Sequence, residues 1–311
     1  MTIVFESILP VFLLVLLGAW LKRSTLVDQN LWLGLEQFGY FILFPALLFS
    51  TLAEANFTGL QADATAIATI GSVSLMSLFV LLLWPMLRNR KVSAASFTST
   101  FQTATRWNGF MALAIAHKLY GQLGLTLTAL LMTLLIIPTN LYNIAVLVWF
   151  TGGSRDFRRF FTRIATNPII VSSVLGIFVN LIGLKIYSPL MATIEMLASA
   201  SLSLGLVMVG AGLRASDALK PSAVALLAVF LKLIVMPVFM VSASYLLGIR
   251  GDALLVIALG AAVPTAMNGY LLAKQMGGDA ELYAAVATVQ TVVSFFTIPL
   301  VLLVTAYVAS N

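Results

Sequence analysis

Thr105-Arg106-Trp107-Asn108-Gly109-Phe110 and, 160 residues further on, Pro264-Thr265-Ala266-Met267-Asn268-Gly269-Tyr270 carry Thr, Asn, Gly and an aromatic residue in one order. Each copy stands midway along a stretch long enough to cross a bilayer. Gly weakens a helix by roughly 1 kcal/mol relative to Ala, Asn is little better, and Pro264 removes a backbone donor and clashes with the preceding turn. The helix is therefore expected to break at Pro264 and Gly269, and at Gly109 in the first copy. Backbone freed by such a break cannot face lipid, so it is buried in protein or lines a polar cavity. Paired interruptions at matching places in two halves of a chain point to a transporter site.

The composition places these motifs in a membrane. Of 311 residues, 61% are hydrophobic and only 9% are charged, and mean hydropathy is +1.05, whereas soluble domains carry roughly 25% charged residues. The formal charge of +6 does not mark a nucleic-acid binder, because no basic stripe carries interleaved aromatics. Cysteine is absent and His117 is the one histidine. That leaves no thiolate or His-rich metal site, and neither HExxH nor a phosphate-binding GxxxxGK[ST] occurs. No cofactor is expected. The first apolar stretch lacks the basic start and the cleavage site of a signal peptide, so it reads as a retained span.

Ten apolar stretches of about 20 residues, the length a helix needs to cross, run from Ile3–Leu21 to Leu282–Val308. Twelve lysines and arginines fall in odd-numbered loops and three in even ones. By the positive-inside rule the odd loops are cytoplasmic, which puts both termini outside. The protein is thus expected to be a multi-pass protein of the cell (inner) membrane. Further matches extend the repeat: Pro10 and Gly18 recur as Pro168 and Gly176, Glu36 as Glu195, and Pro138 as Pro299. Five spans in each half force the halves into opposite orientation. The expected fold is all-α, with ten transmembrane helices arranged as a 5+5 inverted repeat: residues 1–150, a basic cytoplasmic linker 151–166, and residues 167–311.

The runs Arg106–Ala114 and Pro264–Tyr270, the Asn167-Pro168 opening of span six and Leu204–Leu213 closing span seven resemble the auxin efflux carrier family over essentially the whole chain. That family is similar in fold to the bile acid:sodium symporters. The resemblance implies broken helices that cross at spans four and nine, external termini and a homodimer. It also implies that Asn108 and Asn268 contact substrate. Plant members have proline at both breaks, whereas Ala104 stands here where Pro264 stands in the second copy.

The chemistry of the site follows from its charges. Two helices that restart at the midplane from opposite sides aim two N-termini, each worth about half a positive charge, at one place. Asn108 and Asn268 would add amide donors, with Thr105, Thr265 and Gln102 completing the shell. Arg106 and Lys232 lie inside spans, where a cation costs at least ~2.5–3.5 kcal/mol and faces the bundle interior. Both suit an anion, or serve as structural pairs, and Lys232 has a titratable role open to it. Glu36 and Glu195 are read as helix-start glutamates in the first turns of spans two and seven, with proton coupling as the alternative. The expected function is secondary transport of small organic anions, carboxylates of the auxin-like or dicarboxylate kind. Alternating access would be coupled to H+, to Na+ or to nothing beyond the membrane potential. An anion channel and a transporter-like sensor are the rivals, and an enzyme has too few catalytic side chains at depth.

Overall fold

The computed structural model describes residues 2–57, 61–152, 162, 165–213, 221–267 and 269–310. Regular structure among them is helical throughout, with no strand. Asn268 lies outside the described residues, as do six of the twelve odd-loop cations (Arg155, Arg158, Arg159, Arg163, Arg214 and Lys220).

Helix α1 (Thr2–Arg23) ends on Lys22 and Arg23, cations placed where the helix dipole is negative. Asp28 starts α2 (Gln29–Phe38) by accepting the Asn30 N–H at 2.7 Å. A π-turn, Gly39–Leu43, then leads into α3 (Phe44–Ala53), and a second π-turn, Leu231–Val235, joins α10 (Ala223–Phe230) to α11 (Met236–Leu246) further along. Each π-turn is followed at its second residue by a proline, Pro45 or Pro237. Proline offers no N–H and crowds the carbonyl four residues back, and a wider turn absorbs both effects. The remaining helices are α4 (Ala62–Leu82), α5 (Trp84–Asn89), α6 (Ala94–Thr105), α7 (Gly109–Thr151), α8 (Pro168–Leu181), α9 (Ser188–Ala211), α12 (Gly251–Ala262), α13 (Gly269–Met276) and α14 (Ala280–Ser310).

Among the described residues six helical stretches are long and apolar enough to cross a membrane: Gln29–Ala53, Ala62–Asn89, Ala94–Thr151, Ser188–Ala211, Ala223–Leu246 and Ala280–Ala309. Ala94–Thr151 covers 58 residues, well beyond the about 20 that one crossing takes. It is interrupted at 106–108 and bends again at Gly121, whose φ of +57° is open to glycine and strained for other residues. The segments Pro168–Leu181 and Gly251–Ala262 are apolar but shorter. The second ends early because Pro264 drives Val263 to an extended ψ of 151°.

Polar and apolar residues sit opposite to the soluble pattern. Leu13, Leu16, Trp20, Leu82 and Phe296 are exposed, whereas Thr98, Gln102, Arg106, Lys232 and Gln290 are buried. An apolar exterior around a polar interior fits a chain that meets lipid on its outside. The hydroxyls of Thr100, Thr103 and Thr105 are satisfied within α6 by carbonyls four residues back, so its Ser/Thr-rich sequence still forms a buried helix.

Helices α1, α3, α8 and α9 pack on one another, while α6, α7, α10, α11, α12 and α14 pack together with α4; α7 touches both groups. The first group is tightened by glycine. A Cβ on Gly18 of α1 would lie 1.9 Å from the Val207 carbonyl of α9, and one on Gly210 of α9 would lie 1.8 Å from the Val15 carbonyl of α1. Helix ends meet in two sets. The Thr151 hydroxyl donates to the Met276 carbonyl, and Ser96 and Ser99 donate to Asp279, while Asn180 Nδ2 donates to the carbonyls of Ala53 and Ala55.

Glu36 and Glu195 do not stand where the sequence reading puts them. Each lies two turns into its helix, α2 or α9, and is exposed. The helices start earlier than hydropathy suggests because Asp28 and Tyr187-Ser188-Pro189 provide their starts.

Gly210→Ala is expected to destabilise the protein by about 1–3 kcal/mol, since no rotamer relieves a clash with backbone. Gly34→Ala, with nothing within 4 Å of its added Cβ, is expected to leave stability unchanged or slightly raised. Thermal melting of the detergent-purified variants checks both.

Candidate functional site

The two interruptions meet. The Asn108 N–H donates to the Pro264 carbonyl at 2.7 Å, so the backbone of one break satisfies the backbone of the other. At the first break α6 ends with Arg106 extended (φ −76°, ψ 159°), and α7 begins with Asn108 as its N-cap. The Asn108 Oδ1 accepts the Met111 N–H at 3.2 Å. Cap formation thus uses the amide oxygen of Asn108 and not its nitrogen. Ala104 does not prevent the break, because the extended Arg106 and the Asn108 cap produce it without a proline.

At the second break side chains meet several of the backbone groups. The Thr265 N–H donates to Gln290 Oε1 at 2.9 Å, and Tyr283 donates its hydroxyl to the Ala266 carbonyl at 2.5 Å. That hydroxyl also lies 3.1 Å from Thr265 Oγ1. Tyr283 is a residue that sequence reasoning missed. Its signal is spacing: Tyr283 and Gln290 are seven residues apart on α14, hence on one face, and Gln290 is an amide inside an apolar helix.

Gly269 opens α13 directly against this tyrosine. A Cβ there would lie 2.2 Å from the Tyr283 hydroxyl, whereas a Cβ on Gly109 would meet only the flexible end of Met132, at 2.9 Å. The two motif glycines therefore differ in stringency.

Arg106 is 7% exposed, and its Nη2 donates to Asn140 Oδ1 of α7 at 3.2 Å. One turn along, the Thr105 hydroxyl approaches Asn143 Oδ1 at 3.3 Å. Gln102, four residues before Arg106 and on the same helix face, is completely buried, and neither atom of its amide has a partner. Arg106 Nε and Thr139 Oγ1 are likewise buried without a partner. Unmet buried polar groups cost about 1–3 kcal/mol each. This corner between α6 and α7 therefore holds unspent hydrogen-bonding capacity.

Lys232, fully buried in the second π-turn, donates from Nζ to the Ala261 carbonyl at 3.0 Å. Ala261 lies in the last turn of α12, where carbonyls lack helical partners, so the ammonium caps the helix that breaks. The structure thus brings Gln102, Thr105, Arg106, Asn108, Gly109, Lys232, Pro264, Thr265 and Gly269 to the two breaks or the helix ends beside them. It does not bring Glu36 or Glu195. Glu195 instead shares a groove with Glu54, Lys185 and Ser188 at the α3, α8 and α9 ends. Partial burial, and then the neighbouring Glu195, push the Glu54 carboxyl above its ordinary range. Phe110 stacks on Phe44 of α3 with ring centroids 3.7 Å apart, so the start of α7 rests on the other helix group. Among the described residues no group of His, Cys, Asp or Glu has metal-site geometry.

From this geometry Gly269→Ala is expected to lower the melting temperature clearly more than Gly109→Ala, with losses of about 3 kcal/mol against under about 1 kcal/mol. Parallel thermal melts decide it, and equal losses would contradict the placement of Tyr283.

Comparison with known proteins points to membrane transport. Residues 157–302 match the family model described as membrane transport protein. An uncharacterized transporter of Methanothermobacter thermautotrophicus is 27% identical over 304 residues, covering 95% of this chain and 96% of the relative. The uncharacterized transporter YfdV of Escherichia coli K12 is 22% identical over 301 residues, 94% of each chain. The motif resemblance, the match over residues 157–302 and the full-length relatives converge on a membrane transporter rather than an enzyme, similar to the bacterial auxin efflux carriers.

Proposed function

We propose that this protein is a secondary transporter of small organic anions, working by alternating access around the paired breaks of α6–α7 and α12–α13. The observation that carries the reading is the Asn108 N–H bond to Pro264 O, with Arg106 buried beside it and bonded to an amide. A buried guanidinium whose described partner is neutral favours an anionic visitor. The starts of α7 and α13 add the positive ends of two helix dipoles. Asn108, with its amide nitrogen outside the cap, Asn268, Arg106, Thr105, Thr265 and Gln102 are the proposed binding residues.

The ten-span inverted repeat belongs to the same proposal. Its best support is a pair of contacts related by the sequence offset: Gly18 approaches the Val207 carbonyl, and Gly176 approaches the Phe49 carbonyl, both partners being displaced by 158 residues. Duplicated halves would generate such a pair. The contacts that join Thr151 to Met276 and Ser96 to Asp279 link the third, fifth and ninth loops of the proposed topology, and Asn180 links the second and sixth. Odd loops therefore meet odd and even meet even, in keeping with cytoplasmic odd loops, external termini and residence in the inner membrane. A proton or sodium gradient would drive transport, and a homodimer follows from the resemblance.

Protein purified in detergent and melted with a panel of small carboxylates and neutral analogues tests the site. A ligand at 100 times its dissociation constant adds about 2.7 kcal/mol of stability. Asn108→Ser keeps a capping oxygen while deleting the amide, so it is expected to melt close to the parent without ligand and to lose the carboxylate response. Arg106→Gln is expected to lose that response too. Neutral compounds that stabilise as well as carboxylates, or variants that respond like the parent, would sink the anion site.

A further inference from the structure

Gln290 reaches three separate elements with one amide. Its Oε1 accepts the Thr265 N–H of the second break at 2.9 Å, and its Nε2 donates to the Thr103 carbonyl of α6 at 3.1 Å and to the Ala228 carbonyl of α10 at 3.2 Å. The side chain is completely buried. An amide offers two N–H donors and one oxygen with two lone pairs, so both donors are spent here on backbone. The recipients are informative. Thr103 lies three residues before the first break, Ala228 precedes the π-turn that carries Lys232, and Thr265 lies inside the second break.

We propose that Gln290 is a positioning residue that fastens the two broken helices and the Lys232 π-turn into one body. It contacts none of the proposed anion ligands' own polar groups except the Thr265 backbone. It acts by holding Thr265, and through it Pro264, where the Pro264 carbonyl meets the Asn108 N–H. The two breaks share only backbone contact at that bond, and a single hydrogen bond is a weak tie by itself. Gln290 supplies the second tie, from the second break to the helix that leads into the first. Tyr283, on the same face of α14, holds Ala266 and Thr265 but makes no described bond to α6 or α10. The two side chains therefore predict different footprints.

The inference gains its functional meaning from the reading of the breaks as the binding site, but its test needs no ligand. Hydrogen–deuterium exchange of the purified ligand-free protein is followed in peptides covering 106–112 and 263–267. Gln290→Met keeps the volume and removes all three bonds. It is expected to speed exchange about tenfold in both peptides, as loss of roughly 1.4 kcal/mol of local protection requires. Gln290→Glu, whose neutral carboxyl keeps the acceptor and one donor, is expected to restore most of the protection. Tyr283→Phe is expected to speed 263–267 and leave 106–112 at the parent rate. If Gln290→Met leaves 106–112 unchanged, or Tyr283→Phe loosens both peptides, Gln290 is not the tie. Should Gln290→Met fail to fold, the Tyr283→Phe footprint alone still decides. A parallel carboxylate titration of the parent separates the two ideas: no binding by the parent overturns the anion site, while the exchange pattern judges Gln290.

Discussion

The bond from the Asn108 N–H to the Pro264 carbonyl constrains everything near the centre of this protein. A helix that stops inside a bilayer leaves carbonyls on one side of the stop and N–H groups on the other, with no water to meet them. Here two helices stop at the same place, and each supplies part of what the other lacks. The remainder comes from a small set of side chains: Asn108 caps α7, Lys232 caps α12, and Tyr283 and Gln290 hold the backbone between α12 and α13. The surrounding packing follows from the need to bring these groups together without a polar atom reaching lipid.

The two breaks solve the same problem by different chemistry. In the second, Pro264 forces Val263 out of the helix, and the freed groups are collected by α14. In the first, no proline acts, and an extended Arg106 followed by a capping Asn108 ends one helix and begins the next. Loosely met groups are concentrated on the first side, where the Gln102 amide, Arg106 Nε and Thr139 Oγ1 have no partner. Among the described residues the second side is satisfied, the first is not. An asymmetry of this kind within a duplicated pattern is what separates a place that holds shape from a place that can accept something new.

Much of this was legible in the sequence, and the parts that were not have physical reasons. The paired Asn-Gly motifs located both breaks because Gly, Asn and Pro act on the backbone locally. Arg106 and Lys232 were recognised as interior because a cation in hydrocarbon has few alternatives. Gly18 and Gly176 stood out in the sequence only as matching positions, and their close approach to a neighbouring carbonyl is a finding of the structure. Tyr283 was invisible, because an aromatic in an apolar helix is ordinary and its hydroxyl partners are fixed only by tertiary folding. Glu36 and Glu195 were set in first turns by hydropathy, which does not see that Asp28 and Tyr187 begin those helices earlier. The sixth and ninth apolar stretches fall short of a full crossing as single helices, and hydropathy alone cannot divide a stretch that proline has cut.

The dependence of the second break on α14 also orders the assembly of the chain. Thr265 and Ala266 are made before Tyr283 and Gln290, the residues that later receive their backbone groups. Until α14 arrives, a polar stretch of backbone stands within the membrane without those partners. Helix α14 therefore seals the centre, and without it the backbone groups of Thr265 and Ala266 lose those partners. Quality control that samples exposed polar backbone in the bilayer would find its most persistent target at 263–267.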